Sequence, residues 1–557
     1  MQNRLPILNE KQKQLLTQSM QMFDTHWDET AAMTLMEEDG VRFLSSRDTV
    51  FYALGLFLRH QPGDPERAVR CIRSVLSCQI IADGEVFDGT FRSMRDNPEP
   101  VRGMLDWKSM DPVTRYNLDI YYQRLSNALR RRMNAREDLR SLTPAVENEL
   151  QAALRDVYPV VWQTYDPNWR EFIVSTLQLI LIHFERELPV NLVSDIDRAC
   201  RRAVYAAVDR ARTRFTPLNT NIRVMHVMMC DWFGRRWHDD MLVNHARAYA
   251  EELLLSYRQH HAVPEFNSPT YNGVVFTFIG FWRKYSPSET LHSLSLELEA
   301  GLWHDFAEFY NPAMRNVCGP YSRAYELEMT VHTALPAILY LTGALDELPP
   351  LSVETDCNPV LVLSDIRVPE DVLPLLREPR GERTVRHQFE ELAERGDPRD
   401  NHALCTTTAW ISDDLMLGAM SGSRNTSYQL HPAVAFWRNA GGSLSTVKLL
   451  RRTAEDELIH LHTVLFDVTA EAHRLTGTVR ARAGRDIVPY FELEGPGLDA
   501  AAFTDDLWQV CGLTARCRFA LNGRPAPWHT SRAGSVLRVC FPMRDGDELT
   551  FDMELTV

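Results

Sequence analysis

Through the first 345 residues, apolar positions recur three and four apart, as at Val69, Ile72, Val75 and Leu76. That spacing lines one face of an α-helix. The pattern predicts twelve helices, over 10–24, 46–60, 65–81, 111–133, 143–156, 168–187, 192–212, 219–235, 239–258, 272–284, 288–309 and 321–343. Pro62, Pro112, Pro167, Pro189, Pro217 and Pro287 fall near the boundaries, where a ring without an N–H does least harm. Short connections make six antiparallel hairpins of these helices. Closing the hairpins into a ring, an (α/α)6 toroid, buries every one of them; an open helical solenoid is the rival arrangement.

After Pro349-Pro350 the period changes from helical to two. Leu549, Phe551, Met553 and Leu555 alternate with Thr550, Asp552, Glu554 and Thr556. Similar runs stand at Cys405–Ile411, Ser445–Leu450, Leu458–Val468, Leu475–Ala481 and Val536–Phe541. The expected fold class is α+β, with a toroid over 1–345 and an antiparallel β-sandwich or supersandwich over 346–557. Residues 366–403, rich in charge around Arg377–Arg383, read as a solvated excursion.

The connectors fall into two sets. Those after even-numbered helices are short and plain, such as Gln61–Asp64. Five connectors before even-numbered helices carry aromatic, amide and charged groups: Phe87–Arg92, Tyr165–Glu171, Thr216–Asn221, Glu265–Gly273 and Asn316–Tyr325. In a ring of hairpins alternate connectors share a face, so these five converge on one mouth. The N-termini of the even helices point their free N–H groups there.

Composition narrows the partners. Net charge is −15 and the pI about 5.7, which argues against nucleic acid. The chain starts without an apolar signal segment, and no run reaches the about 18 apolar residues of a membrane span, so a cytoplasmic location is expected. Ten cysteines are scattered without a CxxC pair or zinc-ligand spacing; free thiols, no cofactor and no metal are the reading. GxSxG, Walker, GxGxxG and HExxH motifs are missing.

This order of elements resembles that of polysaccharide lyases of the chondroitin, hyaluronan and heparinase II/III type; toroidal glycoside hydrolases are similar in the helical half. The resemblance implies a toroid, a large antiparallel β domain and β-elimination on an acidic glycan by Asn, His, Tyr and Arg. The motif itself differs: His261 and Tyr271 are ten apart, and Val275 rather than Arg stands one turn beyond.

Elimination needs a neutralised carboxylate, a base and an acid. Asn267, Asn219 and Asn221 can bond the carboxylate, Arg323 can add charge, and Tyr271, His226 or Tyr325 can move the proton. His226, among Val224, Met225, Val227 and Met228, reads more readily as a core residue. Hydrolysis needs two carboxylates about 5–9.5 Å apart, for which Asp88, Asp166 and Glu265 are candidates. Asp166 also suits a helix cap, and Asp88-Gly89 a plain turn. Trp169, Phe266 and Tyr321 can stack on sugar rings, with Arg92, Asn168, Arg170 and His431 as further contacts. The expectation is an enzyme cleaving an acidic, uronic-acid-containing glycan, by β-elimination ahead of hydrolysis. A non-catalytic glycan-binding protein is the reading from another class.

Overall fold

A computed structural model describes the chain except at residues 1–5, 39–40, 101–124, 127, 158–164, 214–218, 330–333, 350–357, 393–401, 424–428, 440, 454–463 and 482–485. The expected helix over 111–133 lies largely outside the described residues. The helices are α1 (Glu10–Thr25), α2 (Ser46–Arg59), α3 (Asp64–Ser77), α4 (Glu137–Arg140), α5 (Thr143–Val157), α6 (Trp169–Phe184), α7 (Val190–Thr213), α8 (Thr220–Trp237), α9 (Asp240–His260), α10 (Pro269–Tyr285), α11 (Glu289–Phe309), α12 (Leu335–Thr342) and α13 (Leu373–Arg377).

Their packing follows from where the apolar residues sit. On α3 only Ala68, Cys71, Ile72 and Val75, with Asp64, are buried, a single stripe that packs on α2. On α2 every residue from Thr49 to Leu58 is buried, and α6 and α10 are enclosed in the same way. Such helices need neighbours all round. They find them in a circuit of contacts that closes: α2 on α6, α6 on α8, α8 on α10, α10 on α12, α12 on α1, and α1 on α2. The striped helices α3, α7, α9 and α11 lie against α2, α6, α8 and α10 respectively.

Two segments differ from expectation. Trp27–Ser45 forms a small antiparallel sheet of β1 (Trp27–Asp28), β2 (Met33–Glu38) and β3 (Val41–Ser45). The helix expected from 321 begins only at Leu335, because the backbone of Tyr321 is engaged elsewhere: its N–H donates to His431 O at 3.2 Å and its C=O accepts from His431 N at 3.0 Å. Just before it stands a two-strand ribbon of β4 (Tyr310–Asn311) and β5 (Asn316–Val317).

The later part of the chain forms two antiparallel sheets. One has eight strands in the order β17-β18-β13-β10-β9-β8-β7-β6: His529–Ala533, Val536–Cys540, Ile487–Glu494, Leu444–Thr453, Ala433–Arg438, Leu415–Ser421, His402–Ile411 and Arg383–Leu392. The other runs β11-β12-β19-β15-β14, that is Val464–Glu471, Arg474–Ala481, Glu548–Thr556, Leu513–Leu521 and Leu507–Val510, with β16 (Arg524–Pro525) beside β15. In β19 Leu549, Phe551, Met553 and Leu555 are buried as the alternation predicts. Phe491 on β13 meets Phe551 on β19 edge-on at 5.2 Å, so the inner faces interdigitate. The charged stretch near 380 is largely at the surface, with Arg377, Glu378 and Glu382 exposed, but it is tied to the helical part at its end. Arg383 donates to the carbonyls of Glu308 (3.2 Å) and Tyr310 (2.7 Å), closing the C-terminal end of α11, and then enters β6.

The nine described cysteines are free thiols, eight of them buried. Among the described residues no helix is long and apolar enough to cross a membrane.

Candidate active site

The N-terminal ends of α2, α6, α8 and α10 surround a cavity of about 230 Å³. Each end is built by its sequence. Ser45 Oγ caps α2, accepting the Asp48 N–H, and so fixes Arg47 in the first turn. Asp166 Oδ1 accepts the Asn168 N–H at 2.8 Å and sets up the turn into α6, which carries Trp169. Ser268 Oγ caps α10 through the Tyr271 N–H at 3.2 Å, with Pro269 at the first helical position, so Tyr271 stands in the first turn of α10.

Of the residues predicted from sequence, Asp166, Asn168, Trp169, Asn221, Tyr271, Arg323 and Tyr325 line this cavity together. Arg323 organises them. Its Nε donates to Gln429 Oε1 at 2.6 Å, one terminal nitrogen donates to Glu265 Oε1 at 3.0 Å, and the guanidinium lies 4.6 Å from the Tyr271 ring centroid. Glu265 sits one layer behind the wall. It accepts the Asn221 side-chain amide at 2.8 and 2.9 Å and the Asn221 backbone N–H at 3.0 Å, at the positive end of α8. Burial raises the Glu265 carboxyl, against the pull of Arg323 and Asn221.

Asp166 is displaced as well. Burial pushes its pKa up to about 7, although the Asn168 N–H and the charges of Arg210, Arg47 and Arg323 all favour the carboxylate. Burial also drives the Tyr271 phenol well above its ordinary value, and the Tyr325 hydroxyl beside it adds to the shift. Tyr271 is therefore protonated at neutral pH.

The other predicted residues stand elsewhere. Asp88 accepts the Ala82 N–H at 2.8 Å and pairs with Arg202. Arg170 is buried against the carbonyls of Val86 and Asp88. Arg92 pairs with Glu99 at 2.9 Å on the surface. Asn219 takes the N-cap position of α8. Asn267, at positive φ, donates to Cys318 O and Pro320 O and ties the 316–325 segment in place. Phe266 stacks on Phe389 at 4.5 Å, and Tyr321 is buried with its hydroxyl on Val317 O. His431 is buried on Ala324 O, and burial lowers it to about 3. His226 is fully buried between α6, α8 and α9, away from the cavity.

Sequence reasoning passed over Arg47 and Gln429. Arg47 lies 5.1 Å from the Trp169 ring centroid and 5.5 Å from that of Phe172. It sits in the first turn of α2, just past the connector before the second helix, so a connector rule extended into the first helical turn would have included it. Gln429 comes from the β part, in the run beside His431.

The family model described as "Domain of unknown function (DUF8769)" matches residues 13–117 and 145–352, more than half of the chain. The chain belongs to this family. The DUF8769 match includes Arg47, Asp166, Asn221, Tyr271 and Arg323; it ends before Gln429. No curated protein matches the sequence. Among solved structures, a chondroitin AC lyase of Streptomyces coelicolor A3 in complex with chondroitin sulphate is similar at TM-score 0.41 and 9% identity, over 99% of this chain and 83% of that one. A heparinase III is similar at TM-score 0.31 and 8% identity, over 99% and 85%. A GH127 β-L-arabinofuranosidase of Geobacillus stearothermophilus T6 follows at TM-score 0.22 and 9% identity, over 100% and 77%. Likenesses this distant transfer no chemistry to the DUF8769 chain.

What the cavity can do is set by its lining. Among the described residues Arg47 and Arg323 are its cations and Asp166 its one carboxylate. Amides of Asn168, Asn221, Asn358 and Gln429 and a flank of Phe51, Trp169, Phe172 and Phe278 complete it. A lining of this kind can receive an anion that also carries hydroxyl groups and an apolar face.

Proposed function

We propose that the chain is a carbohydrate-active enzyme that cleaves an acidic, uronic-acid-containing oligosaccharide or polysaccharide in this cavity, by β-elimination. The closed circuit of helices is read as a toroid with the cavity at its mouth, and the paired sheets as a sandwich packed beside it. One observation carries the reading: the Arg323 guanidinium lies over the Tyr271 phenol in a wall that, among the described residues, holds a single carboxylate.

In this mechanism Arg323 and Arg47 neutralise the uronate carboxylate and so lower the cost of charge developing beside it. Asp166, ionised above about 7, takes the proton from C5. The C5–H electron pair becomes the C4–C5 double bond as the C4–O bond breaks. Tyr271, held protonated, gives its proton to the leaving oxygen. The Asp166 proton then returns to Tyr271 through solvent. Hydrolysis would need a second carboxylate at the sugar, and Glu265 is the one at hand. Its oxygens are already engaged by Asn221 and Arg323, which favours elimination.

The test is to incubate the protein with a panel of uronic-acid glycans and follow the near-ultraviolet absorbance of the unsaturated product. Tyr271→Phe keeps the ring under Arg323 and removes the proton, so elimination should fall about 10²–10⁴-fold with the thermal midpoint unchanged. New reducing ends without the absorbance would replace elimination by hydrolysis. Glycan binding with neither signal would make the protein a binding module.

A further inference from the structure

Behind the cavity, α6, α8 and α9 bring a separate group of polar side chains into an apolar layer. His226 and Cys230 stand one turn apart on α8, both fully buried. His245 on α9 faces them, partly exposed. His226 Nε2 lies 2.9 Å from His245 Nε2 and 3.6 Å from Cys230 Sγ, and the ligand atoms of the three residues fall within 4.8 Å of one another.

A second observation concerns Glu171 on α6. It is fully buried, and neither carboxylate oxygen has a hydrogen-bond partner among the described residues. Its Oε1 lies 3.4 Å from His226 Nδ1, the ring nitrogen opposite His245. A bare carboxylate in such a place costs several kcal/mol unless positive charge is near. The buried Arg170 guanidinium is the cation nearest in the chain, and an ion held by His226 would bring a second positive charge to the same carboxylate.

We propose that His226 Nε2, Cys230 Sγ and His245 Nε2 bind a divalent ion that prefers nitrogen and sulfur, zinc in the first place, with Glu171 as the positioning residue behind His226. Tetrahedral zinc with its usual bond lengths sets N···N near about 3.3 Å and N···S near about 3.6 Å. The His226 separations are close to these, and a small inward turn of His245 completes the set. Imidazole and thiolate donors select zinc over magnesium or calcium. The Cys230 thiol gives its proton to solvent on binding. The thiolate and the Glu171 carboxylate then balance the two positive charges. A carboxylate on the far nitrogen of a ligating histidine fixes the ring's tautomer and angle, which accounts for Glu171. His245 gives the ion its way in from solvent. The arginines whose charge reaches His245 are Arg212 of α7 and Arg223 of α8, the latter paired with Glu252 at 3.2 Å. Three protein ligands leave the fourth position to water.

The experiment uses the full chain without a histidine tag. Metal content after dialysis is measured by mass spectrometry, and the metal-stripped protein is titrated with zinc and cobalt. The expected result is about one zinc per chain, a thiolate-to-cobalt charge-transfer band, and a thermal midpoint that zinc raises. Cys230→Ser should lose the band, and His245→Gln, at a partly exposed position, should weaken zinc at least tenfold with an unchanged circular dichroism spectrum. Glu171→Gln should weaken zinc by about 10–100-fold and keep the band. Wild-type protein with a small fraction of an equivalent and no cobalt band would overturn the site. So would full metal retention in both ligand variants.

Discussion

Asp166 holds its proton over a range in which most aspartates have lost theirs, and this has two measurable consequences. Its pKa rises from 3.8 to about 7 in the folded chain. Between about pH 4 and 7 the folded state therefore binds more protons than the unfolded state, and stability falls as pH rises through that window and levels off above it. Glu299 and Asp305 are also raised by burial to about 7, so the Asp166 share is the difference between wild type and Asp166→Asn. That variant should show a shallower decline in denaturation midpoint across the window. The second consequence is catalytic. With Asp166 as the base, kcat/KM for elimination should rise through pH of about 7, and Asp166→Asn should remove the activity. A profile that falls through the same pH would assign Asp166 the acid's role instead. At this scale the sequence was only partly legible. Residue types and loops pointed to Asp166, Tyr271 and Arg323, but nothing in one dimension shows that Glu265 turns toward Asn221 and away from the cavity. The His226–Cys230 pair sits at helical spacing; its third member and Glu171 come from two other helices, which no linear spacing rule joins.

Among the elements, helix periodicity located α2, α6, α8 and α10 well because enclosed helices carry long apolar runs. It failed where tertiary contact decides local structure. Tyr321–Met329 fall within a predicted helix, yet the Tyr321 backbone pairs with His431 and these residues are not helical. The β1–β3 sheet was missed because its strands are short and their alternation is brief. One contact between elements is unusually close. A Cβ on Gly418 of β8 would stand 1.8 Å from Gly319 O and 2.0 Å from Gly319 C, both backbone atoms. Neither chain can yield as a flexible side chain would. Gly418→Ala should therefore destabilise by about 3 kcal/mol or more, read as a lower denaturant midpoint with an unchanged slope. Gly441→Ala, where a Cβ meets nothing closer than 3.2 Å, is the control and should cost much less.

For the whole molecule, the helical and β parts share the cavity wall. Phe266 from the helical part stacks on Phe389 of β6, and Arg323 takes its Nε partner from Gln429. A chain cut at residue 345 should expose Phe266 and Tyr321, leave the Arg323 Nε without that acceptor, and fail to unfold cooperatively. Size-exclusion chromatography and near-ultraviolet circular dichroism test this; a monomer with a sharp transition would show that the helical part stands alone. The overall order of helices then strands was plain in the sequence, because the change of period at 350 is a property of long stretches. The joint between the parts was not, since it rests on single contacts between distant residues. The Arg323–Gln429 bond also has a meaning in time. The two residues are 106 positions apart, so at ordinary rates of translation Gln429 is made roughly 5–20 s after Arg323. A growing chain passes through that interval with its cavity unfinished, and it can hold a ligand in the finished cavity only once more than three quarters of the chain has been made.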